Sequence, residues 1–166
     1  MDKNVIAFGL QDRQIEIHGH LRSIQSPNSK KMPFPDNGQA YARVRGGEPR
    51  AFVATFLAEG MLNTEADTAI LGFYEAIDEE DGLALLAQVE DELGQRNVKN
   101  LIGPMNQNTW GQYRFALPAQ SDDQVFSPHS FLGDVINHES YPRHFERAGF
   151  MPISNYESRA NLNLGL

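Results

Sequence analysis

Cysteine is absent from these 166 residues, which excludes a disulfide framework, thiol catalysis and Cys-type zinc sites. No apolar stretch approaches the ~20 residues of a membrane span. The start, MDKNVIAFGLQDRQ, carries a short apolar patch with no small-residue cleavage site behind it, so no secretory signal is read there and a cytoplasmic location is expected. Lys and Arg are missing between Glu75 and Gln95, a stretch that holds eight carboxylates. Nucleic-acid phosphate and anionic lipid would be repelled by it, so neither is expected as a partner. Gly-x-Ser-x-Gly, P-loop and paired catalytic carboxylate motifs are also absent. Five histidines are present, with His18 and His20 on one face of an expected strand, but no third ligand follows at a fixed spacing and no metal site is expected.

What is there fits one α/β domain over residues 1–166. With 40% hydrophobic and 22% charged residues the chain is globular, not a disordered one. Its formal charge of −8 is unevenly spread. Basic residues gather around Lys30, Lys31, Arg43, Arg45 and Arg50 and again at Arg143, Arg147 and Arg159, which read as an ordinary mixed surface. Residues 1–38 are the least regular, with a β-like stretch in QIEIHGH and a loop at 26–38 rich in proline and turn formers. AYARV and RAFVATFL flank GGEP as two strands on a tight turn, and TAILGFYEAI follows, which makes an antiparallel meander of three strands. The third is apolar at nearly every position, as a central strand covered on both faces would be.

From Gly82 to Leu93 the residues Leu86, Val89 and Leu93 recur at helical spacing, and Gly94 reads as the stop. A strand in VKNLIGPM comes next, parallel to the meander's last strand by the strand–helix–strand rule. The sheet is therefore expected to be mixed. A loop, a short strand FLGDVI, a helix around YPRHFERAG and a last strand MPISNYES complete the expected order.

That order, with NHESYPRHFERAGF at 137–150, LGFYEA at 71–76 and GPMNQNTWGQYRF at 103–115, resembles the GNAT superfamily of acyl-CoA-dependent N-acyltransferases over roughly residues 40–159. Within it the chain looks like a subgroup with a Gly-Pro-Met-Asn segment. The resemblance implies acetyl-CoA or another acyl-CoA as cofactor and an amine of a small molecule or peptide as acceptor, with a homodimer left open. Against that family the N-terminal region reads as shortened, without the usual long helices. Pyrophosphate would lie on backbone N–H groups at the start of the central helix, where the family reads Gln or Arg, two residues, Gly, one residue, then Gly or Ala. The matching positions are Glu79, Glu80, Asp81, Gly82, Leu83 and Ala84, so the cofactor contacts are expected at Gly82, Leu83 and Ala84 while the leading residue has become acidic. A carboxylate at ~4 Å from a phosphate charge repels it by about 1 kcal/mol in water. Asp78 or Asp81 can instead cap the helix for ~1 kcal/mol.

The family's usual proton donor is a Tyr four residues before the Gly of Gly-Phe, and Phe145 stands there. A phenyl ring has no proton to give. Tyr141, one helical turn earlier on the same face, is the replacement candidate, against a packed helix-start aromatic. Glu75, in an apolar strand beside the expected cleft, is the candidate base for the ammonium acceptor. Asn137 resembles the family's Asn before the late helix and is a further cofactor candidate. Asn106, Trp110, Tyr113 and Arg114 are candidates for substrate binding in a polar-aromatic loop after a strand end, where α/β folds place ligands. Two functions follow: an acyl-CoA-dependent N-acyltransferase, or a non-catalytic ligand- or protein-binding module on the same fold.

Overall fold

The computed structural model describes residues 5–9, 12–25, 38–58, 67–106, 114–117 and 137–156. Strand β1 (Val5–Gly9) and helix α1 (Asp12–Gln25) lead into β2 (Gln39–Arg45), β3 (Glu48–Leu57) and β4 (Thr68–Ala76). Helix α2 (Glu79–Gln95), the short β5 (Asn100–Ile102) and helix α3 (Tyr141–Arg147) follow. The sheet runs β1-β2-β3-β4-β5, with β1 to β4 antiparallel and β5 parallel to β4. This is the mixed sheet expected, with one more antiparallel strand than the sequence reading had.

The β2–β3 hairpin turns on Gly46 and Gly47, whose φ of 64° and 87° are the paired positive values a two-residue turn needs. Strand β4 is buried at every position, because one cluster covers each of its faces. On one side Ala69, Leu71, Tyr74 and Ala76 pack with Leu85, Val89 and Leu93 of α2 and with Tyr141 and Phe145 of α3. On the other, Ile70 and Phe73 pack with Phe52, Phe56, Met105 and Leu21 of α1. A bulge makes this possible. Phe52 opposes Glu75 while Ala54 opposes Gly72, so β4 carries an extra residue there, and Phe73 sits at φ 55°. The extra residue resets the alternation, which sends Tyr74 to the α2 face and Glu75 to the α1 face.

Both described helix ends on the α2 side are built the same way. Asn97, at φ 63°, follows α2; its N–H reaches Gly94 O and Val98 N–H reaches Leu93 O, a Schellman motif with Asn in the left-handed position. Gly94, expected as the stop, lies inside the helix. After α3, Gly149 at φ 93° does the same, Phe150 N–H bonds Phe145 O, and the Phe145 and Phe150 rings stand 4.9 Å apart. The Gly-Phe ending is thus a helix stop with its usual apolar contact.

Four expectations change. QIEIHGH is part of α1, not a strand: Ile15, Ile17 and the residues between them mimic a period of two, but Ile17, His18, Leu21 and Arg22 share a helical face toward the sheet. His18 is therefore buried while His20 is exposed, and the two do not share a face. The N-terminal region also contains a 14-residue helix, where the sequence reads as shortened and without the family's usual long helices. Helix α2 starts at Glu79, three residues before the expected Gly82. Finally, residues 151–156 form no strand; Met151 and Ile153 are more than four-fifths exposed there, and Arg114 lies over the Tyr156 ring at 5.4 Å. The expected strand FLGDVI and most of the loop at 26–38 lie outside the described residues. No helix among the described residues is long and apolar enough to cross a membrane.

Candidate active site

The mouth of α2 is built from its own acids. Asp78, in an extended conformation, is the N-cap, and its Oδ1 accepts the Asp81 N–H at 2.8 Å. Asp78, not Asp81, therefore closes the helix. Burial pushes the Asp78 carboxyl up, but the Asp81 N–H and the Arg50 and Arg45 guanidinium groups outweigh it, and its pKa is lowered. Asp81 is fully buried. It takes Arg43 Nε at 2.7 Å on one oxygen and Arg50 Nε and Arg45 Nη2, each at 2.9 Å, on the other. Arg45 and Arg50 also reach Asp78, and Arg143 and Arg147 reach Glu79. These arginines read as ordinary surface charge in the sequence because the β2–β3 hairpin, the start of α2 and helix α3 are far apart along the chain. The signal that could have found them is complementarity: four successive carboxylates at a helix start need counter-charge.

With α2 starting at Glu79, the residues Gly82, Leu83 and Ala84 lie within the helix, and the Gly82 N–H is bonded to Asp78 O at 3.1 Å. The first-turn donors belong to Glu79, Glu80 and Asp81. Gly82 serves another purpose. A Cβ built on it would stand 2.2 Å from the Tyr74 hydroxyl and 2.9 Å from His144 Nδ1. Those two groups are hydrogen-bonded to each other at 2.8 Å. Burial raises the Tyr74 pKa and lowers that of His144, so the bond joins a neutral phenol to a neutral imidazole, whose tautomer sets which of them donates.

Along the β5-facing edge of β4 the backbone groups find partners from the rest of the chain. Met105 N–H bonds Leu71 O at 2.8 Å. Phe73 N–H donates to Asn106 Oδ1 at 2.6 Å, and Ala76 N–H donates to the Tyr141 hydroxyl at 3.0 Å. Gly72 allows this approach, since a Cβ there would meet Met105 O at 2.2 Å. Strand β5 itself pairs only from Asn100 to Ile102. Asn106 is thus a backbone partner for the bulge in β4.

The structure brings Glu75 and Tyr141 together. The Tyr141 hydroxyl donates to Glu75 Oε2 at 2.7 Å; burial first, and the Glu75 charge second, raise its pKa and keep the proton on the phenol. Tyr141 is 1% exposed and Glu75 6%. Phe145, at the position of the family's usual donor, packs on Tyr74 and Phe115. Sequence reading missed what lies on the other side of Glu75: His18 Nε2 is 3.9 Å from its Oε1, and the buried Arg22 interacts with it electrostatically. Reading QIEIHGH as β-like hid His18, and Arg22 just beyond it falls in no expected element. Asn137 links Ala116 to the approach to α3: its Oδ1 accepts Ala116 N–H at 2.7 Å and its Nδ2 donates to His138 O at 2.9 Å. Trp110 and Tyr113 lie outside the described residues.

No family model matches the chain, and no curated protein does. Among solved structures, the chain is similar to an aminoglycoside acetyltransferase from an uncultured soil metagenomic sample, crystallised with trehalose. Identity is 9%, the match covers 64% of this chain and 80% of that one, and the TM-score is 0.46. A likeness of that size says nothing about activity.

Proposed function

We propose that the chain is an acyl-CoA-dependent N-acyltransferase acting on an amine of a small molecule or peptide, on the strength of its GNAT-like sequence motifs and one geometric observation. That observation is the Glu75–Tyr141 pair, a carboxylate and a phenol joined at 2.7 Å at the end of β4, next to the mouth of α2. Glu75 takes the proton that an ammonium acceptor must lose before its nitrogen can attack. Tyr141 holds one carboxylate oxygen in place and keeps its own proton while doing so. The cofactor, when bound, supplies an acyl group activated as a thioester.

The mouth of α2 fits an anionic cofactor better than its sequence does. Five arginines, Arg43, Arg45, Arg50, Arg143 and Arg147, contact the run Asp78 to Asp81, so cations outnumber the four acids. Arg45, Arg143 and Arg147 are about half or more exposed, and guanidinium forks suit phosphate oxygens. Phosphate would be held by those side chains and the first-turn N–H groups of Glu79 and Glu80. Gly82, Leu83 and Ala84 shape the turn behind them, and Asn137 fixes the approach to α3.

A second reading has its own observation. Asp78 already occupies the Asp81 N–H, Asn106 and Tyr141 occupy the β4 edge, and Glu75 and Tyr141 are buried. These support a non-catalytic module on the same fold. Calorimetric titration of acetyl-CoA and of free CoA into the protein separates the two. Saturable binding followed by acyl transfer to a panel of primary amines is the expected result; no heat up to millimolar ligand would reject the enzyme reading. Replacing Glu79 by Gln releases Arg143 and Arg147 and is expected to tighten CoA binding several-fold. Unchanged affinity would mean that those arginines do not meet the phosphates.

A further inference from the structure

We infer that helix α1 belongs to the Glu75 centre, with Arg22 as the positioning residue that supplies counter-charge to the Glu75 carboxylate from the sheet face opposite α2 and α3. The inference rests on Glu75 acting as the acceptor's base.

The bulge at Phe73 turns Glu75 toward α1, and its two oxygens then meet different elements. Oε2 receives the Tyr141 hydroxyl and Oε1 faces His18. A carboxylate this buried either finds a cation or takes up a proton. Among the described residues, the titratable and charged groups near it are His18 and Arg22 from α1, Tyr74 beside it on β4 and Tyr141 from α3, while β3 opposes it with Phe52. Both phenols keep their protons and carry no charge. His18 is neutral as well, because burial and the nearby Arg22 depress its pKa to about 3. It stands between the rings of Phe52 and Phe73, at 5.3 and 5.8 Å, as a spacer. Among these described groups Arg22 is the cation. It is 7% exposed, and a guanidinium so deeply placed is costly unless an anion answers it. One helical turn separates it from His18, so both come to Glu75 from one face of α1. Through Arg22, α1 keeps the carboxylate ionised and able to accept a proton.

The test uses Arg22→Met, Arg22→Lys, Glu75→Gln and the double variant Arg22→Met/Glu75→Gln. The ¹³C-carboxyl resonance of Glu75, assigned by its loss in Glu75→Gln, is followed against pH. In Arg22→Met its protonation midpoint is expected to move up by about one pH unit or more, and Arg22→Lys is expected to restore most of the difference. An unmoved midpoint overturns the inference. Should Arg22→Met fail to fold, the double variant, which lacks both charges, is expected to recover a cooperative melting transition. Failure to recover it overturns the inference equally. The pH–rate profile for acyl transfer should shift in the same direction in Arg22→Met, with KM for acetyl-CoA unchanged. If the wild-type protein neither binds nor turns over acetyl-CoA, the proposed function fails, while the resonance still reports whether Arg22 and Glu75 are coupled.

Discussion

Burial decides what single side chains can do here. His18 has its pKa depressed to about 3, first by burial and then by Arg22, whereas in the unfolded chain it titrates near ~6.5. Its folded pKa lies below its unfolded one, so the neutral ring's contribution is fully present above ~6.5 and is lost as pH falls toward 3. Thermal melts of wild type and His18→Gln are expected to diverge with pH: the wild type should lose more stability between pH 7 and 4 than the variant. Parallel curves would show that His18 is not buried neutral. Gly82 tests a steric statement. In an open helix interior Gly→Ala gains roughly 1 kcal/mol, but the added methyl would fall on a Tyr74 hydroxyl pinned by His144. Overpacking of that kind costs roughly 1–3 kcal/mol, so Gly82→Ala is expected to lower the urea midpoint. A stabilised variant would mean that Tyr74 moves freely.

Among the elements, α2 depends most on its first residues. Asp78 is expected to contribute about 1 kcal/mol as N-cap, and Asp78→Ala should lower stability in urea by that order at neutral pH. Because its folded pKa is lowered, this contribution is present above the usual carboxylate range near ~4 and fades as pH falls below it. Wild type and variant should therefore converge at low pH. The same cap explains why the acid run was ambiguous. A helix start attracts anions whether they come from the chain or from a ligand, and the sequence of α2 names the acids without naming the arginines that answer them. In α3 the local signals were better: Pro142 near the start and Gly149 after the end frame a helix, and the structure keeps both.

Across the whole molecule, Tyr141 ties the α3 side to the sheet and to the α1 side. Its hydroxyl holds the Ala76 N–H and the Glu75 carboxylate together. Tyr141→Phe keeps the packing and leaves two buried groups without that partner, which is expected to cost roughly 1–3 kcal/mol, read as a drop in the urea midpoint without a change in slope. A variant as stable as wild type would show that the hydroxyl is not what joins the layers.

The sequence by itself determined the strands β2 to β4, their hairpin, helix α2 and the helix before Gly149. Each is written in contiguous residues: apolar runs, a Gly-Gly turn, a spacing of three and four. It also named Glu75 and Tyr141, because a carboxylate in an apolar strand and a tyrosine at a helix start are conspicuous without any partner. Only the tertiary structure decided that QIEIHGH is helical, since Leu21 and its neighbours are needed to cover a sheet face that short-range alternation does not register. Only it decided that one extra residue at Phe73 would turn Glu75 toward His18 and Arg22, and that Arg43, Arg45, Arg50, Arg143 and Arg147 would meet on four acids. Charge pairing acts through space, and residues from four elements become neighbours only when the sheet and its helices close around them.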